Sequence, residues 1–223
     1  MTFKDKELII FDLDGTLIDS MPDLAQSINK MLKHFDLKPL TIEEVTLFIG
    51  NGAVKLVERA LESALKHKEF TEEFFKEAFD FYTSAYREVV CDKTFLYHGV
   101  LETLQYLDSK GYAMTICTNK PFEFIEPILD ALSIKQFFKS WVGGDSLTKK
   151  KPDAAPLLHF AEKMNKKVEK CIMIGDSKND ILAAQNADMD SIGVSYGYNY
   201  DEDISIYNPT KVVDNFEELI ELF

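Results

Sequence analysis

Asp12 and Asp14 stand two residues apart in Asp12-Leu13-Asp14-Gly15-Thr16. At the end of a strand, where the backbone stops being regular, that spacing lets both carboxylates turn toward one site. One carboxylate can attack phosphorus and form an aspartyl phosphate, which splits ester hydrolysis into two easier displacements. The other can protonate the leaving oxygen and then take a proton from water. Alone the motif has rivals. A polar turn reads the same way, whereas a calcium loop wants glycine at position six and glutamate at twelve, and here Gly15 is fourth and Asp23 twelfth.

Three further segments carry complementary chemistry. In Gly175-Asp176-Ser177-Lys178-Asn179-Asp180, two more carboxylates face the edge used by Asp12. Such hard oxygen donors, with room for water and a phosphate, suit Mg²⁺; simple capping of a helix by Asp176 or Ser177 is the alternative. Thr118-Asn119 follows an apolar run and precedes Pro121, so a hydroxyl and an amide stand ready for phosphoryl oxygens or for helix capping. Lys151 closes Lys149-Lys150-Lys151 before Pro152. A lysine run is commonly a solvated loop. A phosphate monoester, however, carries roughly −1.5 to −2 charges, and opposite unit charges ~4 Å apart attract by about 4 kcal/mol at an effective dielectric near 20. An anionic nucleophile approaching such an ester needs a fixed cation, and Lys151 is the candidate.

These groups need a scaffold that brings separate chain segments to one edge. Leu8–Phe11 is a short apolar run that stops at Asp12, and similar runs cover 113–117, 141–142, 171–174 and 191–194. Helix-length segments at 99–110, 121–132, 153–165 and 178–187 alternate with them. This predicts an α/β fold, a doubly wound and mostly parallel sheet whose ligands bind at the strands' C-terminal ends. From about 20 to 92 the pattern changes to helical spacing, as in Leu24, Ile28, Met31, Leu32 and Phe35 or Leu56, Val57, Ala60, Leu61 and Leu65. An all-helical lobe, 20–92, is therefore expected as an insertion in a core made of 1–19 and 93–223. The aromatics of segment 71–86, Phe74, Phe75, Phe79, Phe81 and Tyr82, are expected in the lobe's own core.

Composition narrows the classes. Apolar residues at 46% and charged residues at 28% fit a globular chain. A formal charge of −13 opposes binding to a nucleic-acid backbone. Cys91, Cys117 and Cys171 are odd in number and widely spaced, which suits neither a disulfide framework nor a zinc site. No run approaches the ~18 apolar residues of a membrane span and the first residues lack a secretory apolar region, so a cytoplasmic monomer or homodimer without a membrane partner is expected.

Taken together, the four segments resemble the motifs of the haloacid dehalogenase superfamily, along essentially the whole chain and with a helical cap after the first motif. The resemblance implies Mg²⁺ held by Asp12, the main-chain carbonyl of Asp14 and Asp176, with Asp180 in support, and catalysis involving Asp12, Asp14, Thr118 and Lys151. Within the superfamily the chain is most similar to the phosphoglycolate phosphatase family, through Asp19-Ser20-Met21-Pro22-Asp23-Leu24, Ile49-Gly50-Asn51-Gly52-Ala53, Val57-Glu58-Arg59-Ala60-Leu61 and Tyr196-Gly197-Tyr198-Asn199. His98, Ala154 and Asp188 depart from that pattern, and Asp188 tolerates a left-handed backbone better than most non-glycine residues. The expected reaction is hydrolysis of a small phosphorylated metabolite, 2-phosphoglycolate. Other small-substrate phosphatases, a sugar phosphomutase and a non-catalytic phosphate-binding module are the alternatives. Asp14 argues against a dehalogenase. Gly50, Asn51 and Gly52 are the candidate substrate-selecting loop, since two glycines allow close backbone approach; a plain helix-to-helix turn is the competing reading.

Overall fold

The computed structural model describes residues 2–223. Its central sheet has six parallel strands: β1 (Leu8–Phe11), β4 (Ala113–Cys117), β5 (Ser140–Val142), β6 (Cys171–Gly175), β7 (Asp190–Val194) and β8 (Lys211–Val213). Their order is β5-β4-β1-β6-β7-β8. β1 is therefore interior, and its continuous apolar sequence follows from burial on both faces. Ile9 and Phe11 pack into one apolar cluster, Leu8 and Ile10 into the cluster on the opposite face. The crossover helices α5 (Val100–Ser109), α6 (Ile125–Ala131), α7 (Ala155–Lys163) and α8 (Lys178–Asn186) lie close to their expected spans, and α9 (Leu219–Leu222) ends the chain. At the turn after α8, Asp188 takes the left-handed conformation with φ 52°.

Between β1 and β4 the chain forms α1 (Met21–His34), α2 (Ile42–Thr46), α3 (Ala53–Ala64) and α4 (Glu72–Val89). Thr41 and Thr71 cap α2 and α4 by accepting main-chain N–H groups three residues on. The apolar stripes of α1 and α3 meet in a cluster of their own, joined from the sheet side by Phe124 and Tyr198. One expectation needs adjustment. Phe74, Phe75, Phe79 and Phe81 are only partly buried against this cluster, and the fully buried face of α4 carries Ala78, Tyr82, Ala85 and Tyr86.

The chain enters and leaves the helical segment as a short antiparallel ribbon of β2 (Ile18–Asp19) and β3 (Phe95–Leu96). Both crossings are tied down. Asp23, fully buried at the start of α1, accepts hydrogen bonds from the amides of Lys93 and Thr94 and the hydroxyl of Thr94. Tyr198 donates its hydroxyl to Asp19. Cys117 and Cys171 sit in strands, where burial pushes their thiols up to about 12 and about 11.

Candidate active site

Parallel strands end on one edge, so β1, β4, β6 and the loop after β5 deliver their polar residues to one place. Asp12 follows β1, and its Oδ1 accepts the Leu13 amide at 2.7 Å and lies 3.0 Å from Lys151 Nζ. Both contacts fall on one oxygen, which leaves Oδ2 for a reacting partner. Lys151 is 2% exposed and donates to Asp180 Oδ1 at 2.6 Å. Burial alone would lower its pKa; the Asp12 and Asp180 carboxylates override this and raise it.

Asp176 follows β6 and uses both oxygens, one accepting from the Thr16 hydroxyl at 2.7 Å and the other from the Tyr198 amide at 2.6 Å. Gly15, at φ 87°, packs so closely on Asp176 that any Cβ there would collide with the carboxylate. Asp180 caps its own helix: Oδ2 accepts the Ser177 amide and hydroxyl at 3.0 and 2.8 Å. Oxygens of Asp12, Asp176 and Asp180 lie within 4.8 Å of one another. Burial pushes Asp12 up to about 7, and burial together with the Asp180 and Asp12 carboxylates raises Asp176 well above the usual range. Lys151 compensates only part of this charge. Three buried, crowded oxygen donors of this kind fit a hard divalent cation.

Asp14 contributes a cavity wall rather than this acidic cluster. Its Oδ1 accepts the Ser20 hydroxyl and the Lys120 amine, the latter at 2.8 Å. A cavity of about 50 Å³ opens here, lined by Asp12, Asp14, Thr118 and Lys120 from the sheet side and by Gly50, Gly52, Tyr82 and Tyr86 from the helical segment. It has room for a small ligand only.

Of the other expected residues, Thr118 is buried at the end of β4, and its oxygen accepts the Lys120 amide at 3.2 Å, which leaves the hydroxyl proton to give. Asn119 spends its side-chain amide on the carbonyls of Gly50 and Lys151, both at 3.0 Å. Gly52, at φ 85°, lies against the Asn119 carbonyl, where a Cβ would approach to 2.7 Å. Asn51 turns away from the cavity: its side-chain oxygen accepts from Arg59 at 2.8 Å and Tyr200 at 2.7 Å. As cavity-lining residues Lys120, Tyr82 and Tyr86 escaped sequence reasoning, which placed Tyr82 only in the core of the helical lobe. The only signal for Lys120 is its place directly after Thr118-Asn119, and the tyrosines are concealed in an aromatic-rich helix.

A family model for haloacid dehalogenase-like hydrolases matches residues 9–194, spanning the strand of Asp12 through the strand after Asp180. The chain belongs to this family. The family resemblance carried by the four motifs is thereby borne out. A phosphoglycolate phosphatase of Colwellia psychrerythraea is 47% identical over 99% of this chain and 98% of its own. One from Psychrobacter arcticus is 44% identical over 97% and 95%. Among solved structures, a protein described as a predicted phosphoglycolate phosphatase from Haemophilus somnus superposes with a TM-score of 0.94 at 40% identity, covering 97% of both chains. The family's hydrolase fold is thus matched from end to end, including the helical segment between β1 and β4. Among the described residues, no helix is long and apolar enough to cross a membrane.

Proposed function

We propose that this hydrolase is a Mg²⁺-dependent phosphatase that converts 2-phosphoglycolate to glycolate and phosphate through an aspartyl phosphate at Asp12. The observation that carries the proposal is the convergence of Asp12, Asp14 and Thr118 on one small cavity with Lys151 behind Asp12. The full-length relatives named phosphoglycolate phosphatase support the choice of substrate.

In this reading Asp12 Oδ2 attacks phosphorus, the bond to the leaving oxygen breaks, and Asp14 supplies that oxygen's proton. Asp14 then takes a proton from water, whose oxygen displaces Asp12 and releases phosphate. Lys151 holds Asp12 in place and offsets charge as the two anions approach. Thr118 donates its hydroxyl to a phosphoryl oxygen. Asn119 fixes the loops on either side, its amide already committed to Gly50 and Lys151. Asp12, Asp176 and the Asp14 main chain would hold the cation, with Asp180 orienting Lys151 and the turn after β6. When bound, the cation supplies the positive charge that four carboxylates and two ammonium groups leave lacking.

We read residues 20–92 as a cap on a core of 1–19 and 93–223. The separate apolar cluster and the β2–β3 ribbon support that division. Gly50 and Gly52 shape the cavity from the cap side, while Asn51 holds their loop on Tyr200. Three unpaired cysteines suit a reducing, cytoplasmic setting.

The test is phosphate release from 2-phosphoglycolate, sugar phosphates, nucleotides and pyrophosphate, with Mg²⁺ or EDTA, by the wild type and Asp12→Asn. The wild type should favour 2-phosphoglycolate and need the metal, and Asp12→Asn should be inactive on every substrate. Single-turnover release by the variant at the wild-type rate would eliminate Asp12 as nucleophile. A panel led by another substrate would overturn the assignment to phosphoglycolate.

A further inference from the structure

Tyr86 of α4 lines the cavity, and its hydroxyl is buried without a hydrogen-bond partner among the described residues. Its ring cannot easily swing out. It stacks on Tyr82 with ring planes 2° apart and meets Phe124 edge-on at 4.8 Å between centroids. An orphaned buried donor is costly, and a ligand that pairs it is favoured by the amount that cost represents. Beside it, the Lys120 ammonium lies 4.9 Å from the Tyr86 centroid and gives one of its three donors to Asp14. Lys120 is itself 6% exposed and lines the same cavity.

We propose that Lys120 and the Tyr86 hydroxyl form the subsite for the carboxylate of the substrate; this rests on the phosphatase reading above and names its specificity residues. An ammonium and a phenol are both donors, and neither is among the Asp12, Thr118 and Lys151 groups assigned above to the phosphoryl group. Their complement is a second, oxygen-rich anion on the same small molecule. The adjoining wall of Leu24, Ile49, Leu56 and Phe124 is apolar. The carboxylate therefore falls to groups on both sides of the cavity, Lys120 from the sheet edge and Tyr86 from α4.

The experiment compares 2-phosphoglycolate with ethyl phosphate, which lacks the carboxylate, for the Mg²⁺-loaded wild type, Tyr86→Phe and Lys120→Met. The readout is the ratio of kcat/KM values for the two substrates, so a general loss through Asp14 cancels. Tyr86→Phe should reduce the wild-type ratio by about 10- to 100-fold, because a buried donor built for an anion discriminates strongly against its absence. Lys120→Met should reduce it at least as much. Circular dichroism confirms that each variant is folded, and Lys120→Met carries the test if Tyr86→Phe is not. If the wild type prefers phosphoglycolate and both folded variants keep the full preference, the subsite is wrong and the substrate reading stands. A wild type indifferent to the carboxylate overturns both.

Discussion

Replacing Lys151 by Met should reveal how much buried charge it holds in check. Its amine lies 3.0 Å from Asp12 and 2.6 Å from Asp180, with the lysine and Asp180 both shielded from solvent. At an effective dielectric near 20 those distances correspond to about 5 to 6 kcal/mol of gross attraction each. Most of this offsets the cost of taking the charges out of water. What the substitution exposes is the penalty of buried carboxylates left without a partner, about 3 to 5 kcal/mol. For a chain of this size, each kcal/mol moves Tm by about 2 to 4 °C, so unfolding followed by circular dichroism in EDTA at pH 7.5 should show a drop of about 6 to 20 °C. Adding Asp180→Asn to the Met variant should recover part of the loss, because the amide oxygen still accepts from Ser177 while one uncompensated charge disappears. Millimolar Mg²⁺ should narrow the gap further, since the ion shares the same oxygens. A Tm within about 2 °C of the wild type in EDTA would refute the argument. So would Asp180→Asn costing as much in the Met variant as in the wild type.

The other consequences concern protons and the crossings into the helical segment. Asp12, held up at about 7 by burial, binds a proton in the folded state over a range where the unfolded chain has lost it, from about pH 4 to about 7. Stability of the metal-free protein should therefore decline as pH rises through that window, with a higher Tm at pH 5.5 than at 7.5. Mg²⁺ should raise Tm more at pH 7.5, where no proton competes for Asp12; a metal-free Tm that rises over this window, or an equal Mg²⁺ effect at both pH values, would contradict this. Asp23→Ala removes the acceptor for the Lys93 and Thr94 amides and the Thr94 hydroxyl, and should lower the free energy of unfolding in urea by about 2 to 5 kcal/mol. Asp23→Asn, which keeps one acceptor oxygen, should cost clearly less, and equal losses in the two variants would point to the charge rather than the hydrogen bonds.

The sheet and the acidic cluster were readable in sequence because each has a local signature. An interior parallel strand needs an unbroken apolar run, and Leu8–Phe11 and Cys171–Gly175 supply one. Carboxylates at such a strand's end break the run abruptly, so Asp12 and Asp176 announce themselves. Lys120 and Tyr86 have no such signature. Their role depends on α4 packing over the end of β4, a contact between segments far apart in the chain, and on Tyr86 lacking a partner, which only the assembled cavity reveals. The engagement of Asn119 was hidden for a related reason. A side-chain amide beside a strand end suits an oxyanion, yet the loop carrying Gly50 comes close enough to take its protons first. The strand β8 is missed because Lys211–Val213 is three residues long at a sheet edge, too short and too exposed to show a period.

The position of β1 also sets a schedule for the growing chain. Leu8 pairs with Ala113 on one side and Cys171 on the other, so the middle of the sheet is synthesised first and its neighbours arrive more than a hundred residues later. At roughly 5 to 20 residues per second, that is a wait of about 5 to 30 s with an apolar strand unpaired on both edges. The helices α1 to α4 have most of their apolar partners within their own segment, Phe124 and Tyr198 joining later, and can pack during the interval. The helical segment is then a compact body at the ribosome while Leu8–Phe11 still lacks a sheet, and this is the stage at which nascent chains are most exposed to aggregation and to capture by chaperones.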